Sequence, residues 1–121
     1  MPYHGHMDWN DLPHDVRHDL FGGRGEVRVW NLLGGAHAPP FSAVLRCSLQ
    51  PGGSVGAHRQ QRDPELIVCI DGTGRLTIDG QNMAFLPGLT AYLPHGSQLA
   101  INNASDETDL VYTIIKAQVS G

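Results

Sequence analysis

The sequence predicts an all-β protein, an antiparallel sandwich or barrel, on three observations. Short stretches alternate apolar and polar residues with period two. Turn signals built from Gly, Pro, Asn and Asp recur roughly every six to ten residues. No stretch carries the apolar spacing of a convincing amphipathic helix. Many short strands at even spacing are the pattern of an antiparallel sheet folded onto itself.

The strands follow in order. Residues 26–33 read as the first, after the turn FGGRG. The loop GGAHAPP comes next, with His37 facing solvent. In PFSAVLRCSLQ, Ala43, Leu45, Cys47 and Leu49 alternate against Val44, Arg46 and Ser48, the mark of a half-buried strand. Pro51-Gly52-Gly53 turns it into SVGAHRQ. ELIVCID is apolar on both faces and is expected at the centre of a sheet. RLTID and QNMAFL flank Asp79-Gly80, a dipeptide suited to a tight hairpin because both residues tolerate positive φ. LTAYL and SQLAIN flank Pro94-His95-Gly96, and the β-branched run LVYTIIKA is the last strand. That makes about nine strands.

Residues 1–22 form a polar N-terminal arm ahead of a body spanning 23–121. The arm's DLPHDVRHDL suits a short helical turn, a segment lying on the body or on a partner, or a disordered tail. His4-x-His6 has metal-ligand spacing, but nothing nearby would hold the pair rigid, and a frayed terminus is the simpler reading.

Length and charge narrow the function. A chain of 121 residues supports one core. Net charge is −4 and the arginines are scattered among acids, which argues against a nucleic-acid partner. No apolar run has membrane-spanning length and the N-terminus lacks the order of a signal peptide, so a cytoplasmic protein without a membrane partner is expected. Cys47 and Cys69 both fall in apolar strands and read as buried free thiols, although they could face each other inside a barrel.

The stretch from Gly52 to Gly72, GGSVGAHRQQRDPELIVCIDG, concentrates the chemistry. His58 and Gln60 are two apart, so they share one face of a strand. Glu65 opens the next apolar strand and can return beside them. An imidazole, a carboxamide and a carboxylate would then converge, able to hold a metal or to pass a proton. Arg46, Tyr92 and Tyr112 are further candidates for holding an anionic or aromatic ligand, with faces that depend on register.

This stretch resembles the first motif of the cupin superfamily: G, five residues, H-x-H, three or four residues, E, six residues, G. In GLTAYLPHGSQLAINN, Gly88, Pro94, Gly96 and Asn103 match the spacing of the second motif. The likeness covers roughly residues 41–117. It implies a small double-stranded β-helix, a jelly-roll barrel, as a homodimer with its site inside one open end. It also implies a divalent metal on three histidines and the glutamate. Carried over by position, His58 is the first histidine and Glu65 the acid, while Gln60 replaces the second histidine and Leu99 the third.

The expected metal set is therefore His58, Gln60 and Glu65, with His95 in the Pro-x-Gly turn as a possible fourth ligand. Such a set would hold Mn, Fe, Zn or Ni weakly. Three functions stay open. One is a small-molecule-binding cupin with a weakly held metal, oxygenase- or isomerase-like if it is an enzyme. Another is a metal-free, non-catalytic ligand-binding barrel. The last is a metal-independent isomerase using Glu65 and His58 as acid and base.

Overall fold

The computed structural model describes residues 8–60 and 62–118; the His4-x-His6 pair lies outside them. Among the described residues, ten strands form two antiparallel sheets, both contributing side chains to one core. They are β1 (Asp15–His18), β2 (Glu26–Asn31), β3 (Phe41–Leu49), β4 (Ser54–Arg59), β5 (Glu65–Asp71), β6 (Gly74–Ile78), β7 (Gln81–Phe85), β8 (Thr90–Leu93), β9 (Gln98–Asn103) and β10 (Leu110–Ala117). The larger sheet runs β1-β2-β3-β10-β5-β8 and the smaller runs β4-β9-β6-β7. This is the jelly-roll arrangement, built as two facing sheets.

Alternation explains the core. In β3, Cys47 and Leu49 point inward at 3% and 0% exposure, while Arg46 and Ser48 point outward. The same parity puts Leu110, Tyr112, Ile114 and Lys116 of β10 on one face, the interior one. Asp79 and Gly80 have φ of 50° and 82° and join β6 to β7, with Ile78 paired to Gln81. Positive φ at both positions is what a two-residue turn between right-twisted strands requires.

β5 is an interior strand, paired on both edges by β10 and the edge strand β8, but its outer face is open, with Leu66 at 39% and Ile70 at 46% exposure. An unbroken apolar run shows that a strand has two apolar faces. It does not show that the same chain covers both.

The arm also departs from the nine-strand expectation. Its residues 15–18 pair in register with β2 as a tenth strand, Asp15 opposite Val29 and His18 opposite Glu26. Ahead of β1, Trp9 packs edge-on against Trp30, which donates its indole N–H to the Trp9 carbonyl at 2.7 Å. The Arg46 guanidinium lies 4.2 Å from the Trp9 ring centroid. Trp30 and Arg46 are cross-strand partners on the outer face, so the arm covers an aromatic that would otherwise be wet.

After β1 the chain crosses to the other sheet. A short 3-10 helix, Leu20–Gly22, packs on β4, and Arg24 and Ser54 exchange backbone hydrogen bonds of 3.0 and 2.7 Å. Glycine permits the contact. A Cβ on Gly56 would collide with the Phe21 carbonyl, and one on Gly23 with the Ser54 carbonyl. Phe21 itself sits at φ 53°, a left-handed conformation that costs a non-glycine residue about 1–2 kcal/mol.

Candidate functional site

A cavity of about 680 Å³ opens between the sheets where the arm crosses. Its walls are largely apolar: Val29 and Leu45 from the larger sheet, Val55 and Ile101 from the smaller. The polar groups enter from strand ends. His58 is near the end of β4 and faces Leu99 of β9 directly in register. Glu65 opens β5 and is flanked by Lys116 of β10 and Leu93 of β8.

Gln60 and Glu65 meet, and His58 lines the same cavity. Gln60 and Glu65 are both buried, at 5% and 3% exposure. The Gln60 Nε2 donates to Glu65 Oε1 at 3.2 Å. That amide orientation has a physical reason, since the opposite one would set a carbonyl oxygen against a carboxylate. On the other side, Lys116 Nζ lies 3.8 Å from Glu65 Oε2. Burial pushes the Glu65 carboxyl above the ordinary range, and Lys116 offsets part of that rise.

His58 is fixed twice. Its Nδ1 lies 3.0 Å from the Gly56 carbonyl. A carbonyl only accepts, so Nδ1 carries a proton and Nε2 is the ring nitrogen left for the cavity. Phe21 stacks on the imidazole, centroids 4.0 Å apart and planes within 12°.

Tyr112 and Cys47 are cross-strand partners, and both line the cavity. Burial is the main reason that the Tyr112 hydroxyl is pushed far up and the Cys47 thiol to about 12. Both therefore present neutral O–H and S–H groups. Cys47 and Cys69 are buried free thiols on strands either side of β10. Two strand spacings, about 9.6 Å, separate them, too far for a disulfide.

Register settles the remaining candidates. Tyr112 faces the cavity, Arg46 lies on the outer face against Trp9, and Tyr92 is 62% exposed on β8. His95 is exposed in the β8–β9 turn and is not among the residues lining the cavity.

Lys116 and Phe21 were not expected here. Lys116 had a signal: it shares parity with Tyr112 and Ile114 in LVYTIIKA, so an inward Tyr112 places the lysine inward too. Phe21 had none, because its position depends on where the arm crosses.

The residues do not fit the metal set that the resemblance implies. Among the described residues no three of His, Cys, Asp and Glu cluster as ligands. Leu99 stands opposite His58 with nothing to donate, and Glu65 already meets an amide N–H and an ammonium.

Known proteins bear on the fold and the family. The Cupin domain family profile matches residues 45–116. Over 71 residues the chain is 35% identical to the dimethylsulfoniopropionate lyase DddW of Ruegeria pomeroyi, a match covering 58% of this chain and 46% of that protein. The chain thus spans about half the length of that relative. Among solved structures, a predicted oxalate decarboxylase from Thermotoga maritima superposes with a TM-score of 0.81 at 23% identity, covering 91% of this chain and 96% of the other. A sugar phosphate isomerase of the cupin superfamily from Silicibacter pomeroyi superposes with a TM-score of 0.65 at 18% identity, covering 77% and 60%. At these identities the structural likeness shows the fold alone.

Proposed function

The chain belongs to the Cupin domain family, and we propose that it is a small-molecule-binding barrel that works without a metal ion. One observation carries this reading. Glu65, the position matching the family's acidic ligand, is matched by charge and hydrogen bond from within, through Lys116 and Gln60. An ammonium stands beside the carboxylate that would otherwise serve a dication. The cavity remains, at a volume common for sites that enclose a small organic ligand.

The cavity offers a ligand an apolar wall and a few directed polar groups. Lys116 has N–H donors beyond the one facing Glu65, and His58 has its Nε2 free of the Gly56 carbonyl bond. Apolar contact supplies most of the affinity, and these groups set orientation.

The test uses Nile red, an uncharged apolar dye, on protein stripped with EDTA. Emission should rise and shift to the blue as the dye binds, unchanged by EDTA. Ile114→Trp, which fills the cavity from its wall, should abolish the signal. Binding that vanishes with EDTA and returns with added metal contradicts the proposal, and so does a dye signal indifferent to Ile114→Trp.

Acid–base chemistry is a second reading, favoured by the raised Glu65 carboxyl, which holds a proton more readily than an ordinary glutamate. It requires Glu65→Gln to bind a turned-over ligand normally while stopping its turnover.

A further inference from the structure

The charge at the cavity points to the class of ligand. The chain has 8 Lys and Arg against 12 Asp and Glu, a net charge of −4. Yet Arg17, Arg59, Arg62 and Lys116 all line this one cavity, against only Asp63 and Glu65. Half of the basic residues of an acidic chain thus converge on one opening. They come from separate elements: β1 of the arm, the end of β4, the β4–β5 connection and the end of β10. No single run of sequence accounts for the cluster.

Partners sharpen the picture. Glu65 is buried and turned to Gln60 and Lys116. Asp63 accepts from the Ser42 hydroxyl at 2.7 Å. Arg59 donates to the Gly96 carbonyl at 2.7 Å, which fixes the side chain without neutralising it. Arg17 lies 3.7 Å from Asp15 in a well-exposed pair that contributes little. Arg62 is exposed and has no ion pair or hydrogen bond among the described residues. The mouth therefore carries uncompensated positive charge over an apolar interior, and low-dielectric walls focus that field on an entering solute.

We infer that the ligand is an organic anion: an apolar body seated between the sheets, with an acidic head group held at the rim by Arg62 and Arg17. Lys116 sits deeper, where its charge is shared with Glu65. The inference rests on the barrel-binding reading above and adds the ligand's charge. It also gives the arm a part in binding, because β1 supplies Arg17.

The experiment is calorimetric titration with three probes of one chain length: octanoate, octan-1-ol and octylammonium. Octanoate should bind at least about tenfold more tightly than either of the others. Its affinity should fall several-fold when salt rises from about 50 to about 500 mM, because rim charges are screened. The double variant Arg17→Ala/Arg62→Ala should erase the preference for the acid while leaving octan-1-ol affinity and the unfolding midpoint unchanged. Arg62→Lys should keep most of the preference.

Octan-1-ol or octylammonium binding as tightly as octanoate overturns the inference, and so does a preference that survives the double variant. If Nile red binds but none of the three octyl probes does, the acidic-head inference fails and the barrel reading stands. If Nile red fails as well, both fall.

Discussion

Lys116→Met keeps the side-chain stem and removes the charge that faces Glu65. Two unit charges at about 4 Å interact by about 4 kcal/mol at an effective dielectric constant of about 20. The separation is 3.8 Å, but the lysine side chain is 37% exposed against 2% for the glutamate. Water and ions screen the exposed partner, and about 2 kcal/mol of destabilisation is the expected size near pH 8. The pH dependence identifies the mechanism. Burial already raises the Glu65 carboxyl, and losing Lys116 raises it further. A carboxyl whose folded pKa lies above its unfolded value, about 4.3, binds its proton more tightly when folded. The stability it contributes is full below the unfolded value and is lost as pH rises through the folded one. Both proteins lose it, but the variant loses more. The deficit should therefore be small at pH 4 and grow toward pH 8, read as the difference in urea unfolding free energy. Glu65→Gln/Lys116→Met, which removes both charges, should recover most of it. A deficit that is the same at both pH values, or below about 0.5 kcal/mol at pH 8, would refute the pairing.

Other outcomes follow from particular contacts. Gly56→Ala drives a methyl group toward the Phe21 carbonyl and should destabilise by about 2–3 kcal/mol, in a thermal melt that also shows increased proteolysis of the arm. Asn103→Leu should cost at least about 2 kcal/mol, because the amide donates to the carbonyls of Leu49, Gln50 and Thr108 and accepts from Ser105 N–H. An unfolding midpoint close to wild type would mean that this clasp is dispensable. Cys47 and Cys69, at 3% and 1% exposure, should not react with a disulfide reagent at neutral pH until denaturant unfolds the chain.

Much of this fold was legible in the sequence because period two sets both strand identity and facing. The hairpin at Asp79-Gly80, the inward parity of β3 and the paired glycine motifs all appear where local chemistry placed them. That His58, Gln60 and Glu65 line one cavity was also local, a matter of spacing around two consecutive strands. What escaped depends on distant pairing. Lys116 reaches Glu65 because β10 lies beside β5, 51 residues apart in sequence. Phe21 reaches His58 because the arm changes sheets between Gly23 and Gly56. The open face of β5 was hidden for the converse reason, since Leu66 and Ile70 look like core until the strand's neighbours are known.

Metal uptake tests the internal cation most directly. Untagged protein would be dialysed to equilibrium against Mn²⁺, Zn²⁺, Ni²⁺ and, without oxygen, Fe²⁺, beside His58→Ala. With Lys116 and Gln60 on Glu65 and Leu99 opposite His58, wild type and His58→Ala should match. Uptake that depends on His58 should stay below about a tenth of an equivalent. Close to one equivalent in the wild type, lost in His58→Ala, would show that a metal displaces Lys116 and that the barrel is a metal site after all.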